Sequence, residues 1–276
     1  ELRDEAVRIA KSADVIVVAA GEVAEMSGEA ASRTNIEIPE TQRELIKALL
    51  KTGKPVVLVL FTGRPLALTW EEENVPAILN VWFGGSEAGD AIADVVFGDV
   101  NPSGKLSMTF PQNVGQVPLY YAHKNTGRPL SGPWFQKFQS NYLDVSNEPL
   151  YPFGFGLSYT QFDYGDIKLS ANEITPADSL RVSIDVTNTG SREGSEVVQL
   201  YIRDLVGSIT RPVKELKDFQ KISLKPGETR TVNFTLGMKD LSFYNAELKF
   251  VAEPGQFQVF VGCNSRDVKQ AAFELK

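Results

Sequence analysis

The chain has 276 residues, of which 42% are hydrophobic and 23% charged, and its formal net charge is −7. This length predicts two domains, on the usual scale of roughly 150 residues each. The negative charge argues against nucleic acid as the main partner and against adsorption to anionic membranes, because both require a basic surface. With one cysteine and one histidine, the chain has no intramolecular disulfide and no thiolate or histidine-rich metal site. Carboxylates must therefore carry any acid–base chemistry, and we expect neither a metal nor a cofactor.

The first predicted elements are an amphipathic helix at 1–12 and a strand at 15–20. The strand consists of β-branched and small apolar residues, which is typical of a strand buried on both faces of a parallel sheet. An α/β layer normally begins with a strand, so a leading helix predicts a chain cut from a larger one. No apolar run approaches the ~18 residues needed to span a bilayer.

An acidic loop follows this strand. It carries Glu22, Glu25 and Glu29, followed by Arg33, and about eighteen residues separate the strand from the next predicted helix. Connections of this type usually have two to six residues, and much longer ones are usually functional or disordered. Because ligands of open α/β sheets bind beyond the carboxyl ends of the strands, the loop is a candidate site. The plain alternative is that loops face water and glutamate is common in them.

The next elements continue the alternation of helix and strand. We predict a helix at 39–52, strands at 55–61 and 77–82, and a helix at 88–97 that ends at Gly98. This order predicts a parallel three-layer α/β unit that is complete near Phe110. The division into domains is predicted as 1–117 for the α/β part, 118–162 for a connector rich in aromatic residues and proline, and 163–276 for the last part.

In the last part the hydrophobic period changes to two residues. Alternation at 180–186, 197–202, 231–236 and 257–262, with turn residues between these segments, predicts an antiparallel β-sandwich of about seven strands. The connector has too much aromatic surface for a solvated linker, so we expect it to be ordered.

Several short motifs in this order resemble family 3 glycoside hydrolases of the bacterial periplasmic β-glucosidase type. They are GEAASR at 28–33, NPSGKL at 101–106, YPFGFGLSYT at 151–160, and NTG at 188–190, EVVQLY at 196–201, LKDF at 216–219 and KPGE at 225–228 in the sandwich. The resemblance covers essentially the whole chain. It implies a partial parallel α/β sandwich domain followed by a fibronectin type III-like β-sandwich.

The resemblance also implies an activity, the hydrolysis of terminal β-D-glucosyl residues with retention. Family members carry an N-terminal barrel, and the resemblance implies that this chain lacks it. The chain is also expected to lack the first strands of the family's α/β domain. The barrel holds the aspartate nucleophile, and a glutamate on a loop of the α/β domain is the acid/base. The implied partners are a β-glucoside or oligosaccharide and the missing barrel, and the resemblance allows a homo-oligomer. It implies a periplasmic or secreted bacterial location.

Among the loop glutamates, the motif match favours Glu29 as the acid/base, with Glu25 as second choice. Small residues flank Glu29 and let the backbone approach a ligand. Glu22, directly after the strand, is expected to be a structural anchor that hydrogen-bonds the loop. The residues expected to bind substrate are Ser27, Arg33 and Trp82, and for Trp82 a role as a core aromatic residue is an equal alternative.

A retaining glycosidase needs two carboxyl groups about 5–5.5 Å apart across the scissile bond. One glutamate on a loop cannot meet this requirement, so we expect the chain alone to lack appreciable activity. The competing hypothesis is a non-catalytic carbohydrate-binding or scaffold module. Such a module should present a row of exposed tryptophan or tyrosine residues on the sandwich, yet all three tryptophans precede it. A nucleotide-binding domain is excluded because the loop after the first strand is acidic where phosphate needs donors.

Overall fold

The computed structural model describes residues 1–132 and 134–276, and the chain forms two compact units. The first, the α/β unit, comprises Glu1–Phe97, Phe110–Pro118 and Glu148–Leu150. The second, the β unit, comprises Gly98–Thr109, Leu119–Asn147 and Tyr151–Lys276. The chain therefore passes between the two units more than once. The domain boundaries at 117 and 162 stay a prediction.

The α/β unit contains a three-stranded parallel sheet in the order β1-β2-β3. Its elements are α1 (Leu2–Ala10), β1 (Ile16–Gly21), α2 (Glu40–Leu50), β2 (Val56–Phe61), α3 (Thr69–Asn74), β3 (Ala77–Asn80) and α4 (Ala88–Phe97). Ile16 pairs with Val56 and Gly21 with Phe61, so β1 and β2 end level at the same edge of the sheet. The predicted parallel α/β arrangement is confirmed.

The core of this unit forms around the central strand β2, whose side chains at Val56, Leu58 and Leu60 are fully buried. Helix α2 buries its apolar stripe, including Ile46, as the 3.6-residue period predicts. Arg43 on the same helix donates from Nε to Oε1 of Glu71, a fully buried carboxylate on α3, over 2.8 Å. This ion pair satisfies a charge that would otherwise be buried without a partner.

Two sequence predictions for this sheet are wrong. The first strand is not buried on both faces, because β1 lies at the sheet edge and its Val17 and Ala19 side chains are exposed. The third strand ends at Asn80, so Trp82 lies beyond it in a left-handed conformation with φ of 50°. The short helix α3 was not predicted, because six residues are too few to show a period.

The β unit is a sandwich of two main sheets. Its strands are β4 (Phe162–Tyr164), β5 (Lys168–Leu169), β6 (Glu173–Ile174), β7 (Leu180–Asn188), β8 (Gly194–Asp204), β9 (Glu215–Leu224), β10 (Thr229–Leu236), β11 (Phe243–Tyr244), β12 (Phe250–Val251), β13 (Gly255–Gly262) and β14 (Val268–Leu275), with a short helix α5 (Met238–Leu241) before β11. One sheet has the order β10-β7-β4, with β5 also paired to β7. The other has the order β6-β14-β13-β8-β9, and β11 pairs with β12 alone.

Alternating residues of these strands point into one shared core. On β7, Leu180, Val182, Ile184 and Val186 are buried while the residues between them are not, as a period of two predicts. The pairs are antiparallel except for β6 with β14. The sandwich fold is confirmed. The described residues contain more strands than the predicted seven, because the two-residue strands are too short to give a sequence signal.

Two of the motifs that carry the family resemblance hydrogen-bond to each other in the β unit. Oδ1 of Asn101 accepts from Oγ of Ser158 over 2.9 Å and from the backbone N–H of Tyr159 over 2.8 Å. Nζ of Lys105 lies 2.9 Å from Oε1 of the buried Glu196. Burial raises the pKa of Glu196, and the charge of Lys105 opposes that rise. These motifs therefore stabilise the fold of the β unit.

The aromatic residues of the predicted connector divide into two groups. Tyr121 stacks on Phe153, with ring centroids 4.4 Å apart, and this packing agrees with an ordered segment. Trp134 and Phe138 are exposed, so only part of the aromatic surface of this segment is buried. In the described ranges, no helix combines the length and the apolar character needed to cross a bilayer.

Candidate active-site loop

The acidic loop occupies 22–39, between the end of β1 and the start of α2. It begins at the edge of the sheet where β2 also ends, because Gly21 and Phe61 are paired. Glu22 continues this pairing, since its backbone N–H donates to the carbonyl of Phe61 over 2.8 Å. The loop therefore starts directly beside 62–64, the residues that follow β2.

Glu22 contacts both Arg33, further along the loop, and the residues that follow β2. Its Oε1 accepts from Nη1 of Arg33 over 2.8 Å and lies 2.9 Å from Nε of Arg64. Its Oε2 accepts from Oγ1 of Thr62 over 2.9 Å and from the backbone N–H of Gly63 over 3.2 Å. The Glu22 side chain is 1% exposed. The expectation that Glu22 anchors the loop by hydrogen bonds is confirmed.

These contacts determine the charge of Glu22. Burial alone would raise its pKa, because it disfavours the charged form. The hydrogen bonds from Arg33, Thr62 and Gly63, together with the charge of Arg64, outweigh burial and hold the pKa of Glu22 below its ordinary value of 4.5. Glu22 is therefore ionised at neutral pH and is poorly suited to donate a proton.

The lowered pKa predicts how the stability of the α/β unit depends on pH. The contribution of Glu22 is fully present above pH 4.5 and is lost as the pH falls through the lower folded-state pKa. Between pH 7 and pH 3, the melting temperature of the wild type should therefore fall more steeply than that of Glu22→Gln. The exposed Glu25→Gln is the control and should follow the wild type. If the melting temperatures of the wild type and of Glu22→Gln fall equally with pH, the predicted contribution of Glu22 is contradicted.

Arg64 ties down the loop further along. Its Nη2 donates to the carbonyl oxygens of both Met26 and Ala31, the latter over 2.8 Å. Thr62 also contacts the Arg64 backbone, because its Oγ1 accepts from the Arg64 N–H and lies 2.7 Å from the Arg64 carbonyl, which shares the one hydroxyl hydrogen with Glu22. The segment between the two tied carbonyls, 27–30, is hereafter the loop tip.

Glu29 lies in the loop tip with an exposed side chain. The residues on either side have positive φ angles, 114° at Gly28 and 59° at Ala30. For a residue with a side chain such a conformation costs of order 1–3 kcal/mol, and conformations of this kind cluster at functional sites. Glu25, the second choice, is exposed within a 3-10 turn at Ala24–Met26.

Ser27 is fixed by a close approach to the residues after β2. A Cβ atom on Gly63 would lie 1.8 Å from Oγ of Ser27 and 2.7 Å from the ring of Phe83, so a larger residue at 63 would require these side chains to shift. Arg33 is directed at Glu22, and its Nη2 also donates to the carbonyl of Glu37 over 3.1 Å. The structure thus brings Arg33 to Glu22 and Ser27 to Gly63, while the side chain of Glu29 is exposed to solvent.

A pocket of about 320 Å³ opens at this edge of the sheet. Its lining residues are Glu22, Ala24, Phe61, Thr62, Trp82, Phe83, Gly84 and Gly85. The ring of Trp82 also packs edge-on against Phe110, with centroids 5.7 Å apart. Trp82 is therefore both a packed aromatic residue and part of the pocket wall. Among the described residues, no group of three or more histidine, cysteine, aspartate or glutamate side chains could hold a metal ion.

Sequence reasoning missed Thr62, Gly63 and Arg64. A signal for them was present, because parallel strands that end level bring the residues after each strand together. Glu22 directly follows β1, and these three residues directly follow β2. A buried carboxylate after one strand and an arginine after its neighbour are therefore natural partners.

The chain matches two known domain families. Residues 1–159 match the glycosyl hydrolase family 3 C-terminal domain, and residues 196–265 match the fibronectin type III-like domain. Both matches fall where the resemblance places them, so the resemblance and the predicted fold class are confirmed.

Individual relatives cover nearly the whole chain. A periplasmic beta-glucosidase of Salmonella typhimurium is 55% identical, over 99% of this chain and 36% of that protein. A beta-xylosidase of Formosa agariphila is 46% identical, over 99% of this chain and 37% of that protein. The crystal structure of a beta-glucosidase from Listeria innocua in complex with isofagomine has a TM-score of 0.95 at 45% identity, over 99% of this chain and 38% of that chain. The chain thus spans little more than a third of the length of these relatives.

Proposed function

The chain belongs to glycoside hydrolase family 3, and on that premise we propose that it supplies the acid/base loop of a retaining β-glucosidase, with Glu29 as the acid/base. One observation carries this proposal: Glu22 is buried and ionised by its partners, whereas Glu29 is exposed at the tip of a loop tied down on both sides. The loop thus separates a structural carboxylate from one that is free to meet a substrate.

The chemistry needs a second carboxylate from outside this chain. In a retaining glycosidase a nucleophile attacks the sugar while a carboxylic acid about 5–5.5 Å away protonates the leaving oxygen. The same group then acts as base for the water that releases the sugar. We assign the nucleophile to a barrel domain that this chain does not contain. To reach the leaving oxygen from the loop tip, Glu29 requires the barrel to lie against that tip.

Backbone geometry favours Glu29 over Glu25. The positive φ at Ala30 is a conformation that packing must impose, and Arg64 ties the chain on both sides of it. Glu25 lies before the first tied carbonyl, in a short 3-10 turn without positive φ angles. We therefore retain Glu25 only as the second choice.

Three further residues are proposed to contact the substrate. Ser27 begins the loop tip, and its contact with Gly63 fixes its place. The side chain of Arg33, about one-fifth exposed, contacts Glu22 at the base of the loop. Trp82 presents its ring at the pocket wall, where an aromatic face can pack on the C–H surface of a sugar.

The relatives also bear on substrate and location. Those with the matching domain include enzymes named beta-glucosidase and beta-xylosidase, so we assign the choice between glucose and xylose to the barrel. The Salmonella relative is named as periplasmic, and we propose a periplasmic or secreted location.

The proposal predicts that the chain alone does not hydrolyse aryl β-glucosides, because it holds one catalytic carboxylate of the required pair. The same chain joined to an upstream family 3 barrel should hydrolyse them. In the joined protein, Glu29→Ala should form a glycosyl azide when azide is added, since a small anion can replace the missing base at the glycosyl-enzyme. The matched control Glu25→Ala should give glucose only. Normal turnover by the chain alone, or azide product from Glu25→Ala instead, would refute the assignment.

A further inference from the structure

Arg64 contacts the loop at two points that enclose Glu29. We propose that Arg64 is a positioning residue that holds Glu29 in place by closing the loop tip, with Glu22 as its counter-ion. The part of this inference that concerns catalysis rests on the proposed function. The part that concerns loop structure does not, because it depends only on contacts within the α/β unit.

The contact of Arg64 with the carbonyls of Met26 and Ala31, hereafter the clasp, joins the two ends of the loop tip. One nitrogen atom, Nη2 of Arg64, donates to two carbonyl oxygens five residues apart, at Met26 and Ala31. The backbone bonds of the loop around it are local and include a long one, from the N–H of Ala31 to the carbonyl of Gly28 over 3.3 Å. Arg64 therefore provides a long-range hydrogen-bonded connection between the loop tip and the sheet edge.

A guanidinium group suits this task better than an ammonium group. Its plane places Nε of Arg64 2.9 Å from Oε1 of Glu22, while Nη2 faces the two loop carbonyls. A lysine could keep the charge near Glu22, but its compact ammonium group lacks the fixed fork that serves both sites. The bonds of Thr62 to the Arg64 backbone hold the base of the arginine side chain.

The position of Glu29 depends on its backbone, because its exposed side chain extends from the loop tip into solvent. A displacement of about 1 Å in a catalytic group can lower a rate about 100-fold. Loosening the clasp should therefore weaken proton donation even though Arg64 touches neither the substrate nor Glu29. Stability alone would not produce such a selective effect.

The first test measures the loop in the chain itself. Amide hydrogen exchange by NMR at Ser27 and Ala31 should be about tenfold faster in Arg64→Lys than in the wild type, because hydrogen bonds that hold the tip are lost. The exposed Arg8→Lys is the matched control and should leave exchange unchanged. Lysine keeps a positive charge beside Glu22, so we expect the fold to persist. Unchanged exchange at Ser27 and Ala31 in Arg64→Lys would overturn the clasp.

The second test measures catalysis in the chain joined to an upstream family 3 barrel. Arg64→Lys should lower kcat/KM for a glucoside with a poor leaving group about 10- to 100-fold and leave an activated dinitrophenyl glucoside nearly unchanged. A uniform loss on both substrates would overturn positioning and indicate a structural role. If amide exchange is faster in Arg64→Lys but the loss of kcat/KM in Glu29→Gln is the same for both leaving groups, the clasp is supported and the proposed function fails. If Glu29→Gln shows that dependence and Arg64→Lys does not, positioning by Arg64 fails.

Discussion

Glu29→Gln, in the chain joined to an upstream family 3 barrel, is expected to reduce kcat/KM for a β-glucoside with a poor leaving group by about 100- to 10,000-fold. Glutamine keeps the shape of the side chain but has no proton to give, so an alkoxide would have to leave unprotonated. An activated dinitrophenyl glucoside needs no proton for departure, and its kcat/KM should change little. Initial rates for a series of aryl glucosides, plotted against the pKa of the leaving phenol, measure the difference directly.

The control for this experiment is Glu25→Gln, which changes a neighbouring exposed glutamate of the same loop. It should retain the leaving-group dependence of the wild type. A steep dependence in Glu25→Gln and none in Glu29→Gln would transfer the acid/base role to Glu25. Equal losses on all substrates in Glu29→Gln would indicate a binding or structural role for that residue.

Glu22→Ala is expected to lower the free energy of unfolding of the α/β unit by about 2–4 kcal/mol. The substitution removes the acceptor of Arg33, Thr62 and Gly63 and leaves Arg64 beside an empty space. Breaking a fully buried pair by removing one partner costs about 3–5 kcal/mol, and the range is lower here because both arginine side chains keep some contact with water. The side chains of Arg33 and Arg64 are 19% and 22% exposed.

Urea unfolding followed by circular dichroism and tryptophan fluorescence measures this change, and Trp82 reports on the pocket that Glu22 lines. Glu25→Ala is the control, and a surface substitution of this kind should change the free energy of unfolding by less than about 0.5 kcal/mol. Equal stability of Glu22→Ala and Glu25→Ala would show that the buried contacts of Glu22 add nothing net to the fold.

Much of the α/β unit was predictable because its strands are short apolar runs. The residues of β2 are hydrophobic throughout, and the strand is central and buried as that composition predicts. The same reasoning was wrong for β1, because its apolar residues are equally continuous but the strand lies at the sheet edge. The apolar composition of a strand shows that its side chains could be buried. Whether they are buried depends on the strands and helices that pack beside it.

The candidate site was predictable in part. The place of Glu22 immediately after a strand was enough to predict an anchor, and in the structure Glu22 accepts hydrogen bonds from Arg33, Thr62 and Gly63 and forms an ion pair with Arg64. Arg64 could not be found from the loop sequence, because it lies after a different strand and Thr62 beside it is 40 residues from Glu22. Such a contact follows from the parallel pairing and level ends of two strands, which local periodicity does not encode.

The repeated crossing of the chain between its two units has a consequence for genetic dissection. The carbonyl of Glu148 accepts from the side chains of Gln112 and Gln116, and the backbone N–H of Leu150 donates to the carbonyl of Phe110 over 2.9 Å. A polypeptide ended near residue 117 would lack residues 148–150, and the buried side chain of Gln116 would lose the Glu148 carbonyl as an acceptor. Producing the α/β unit as a separate protein therefore requires joining residues 148–150 back onto it, and a stop codon after residue 117 is not enough.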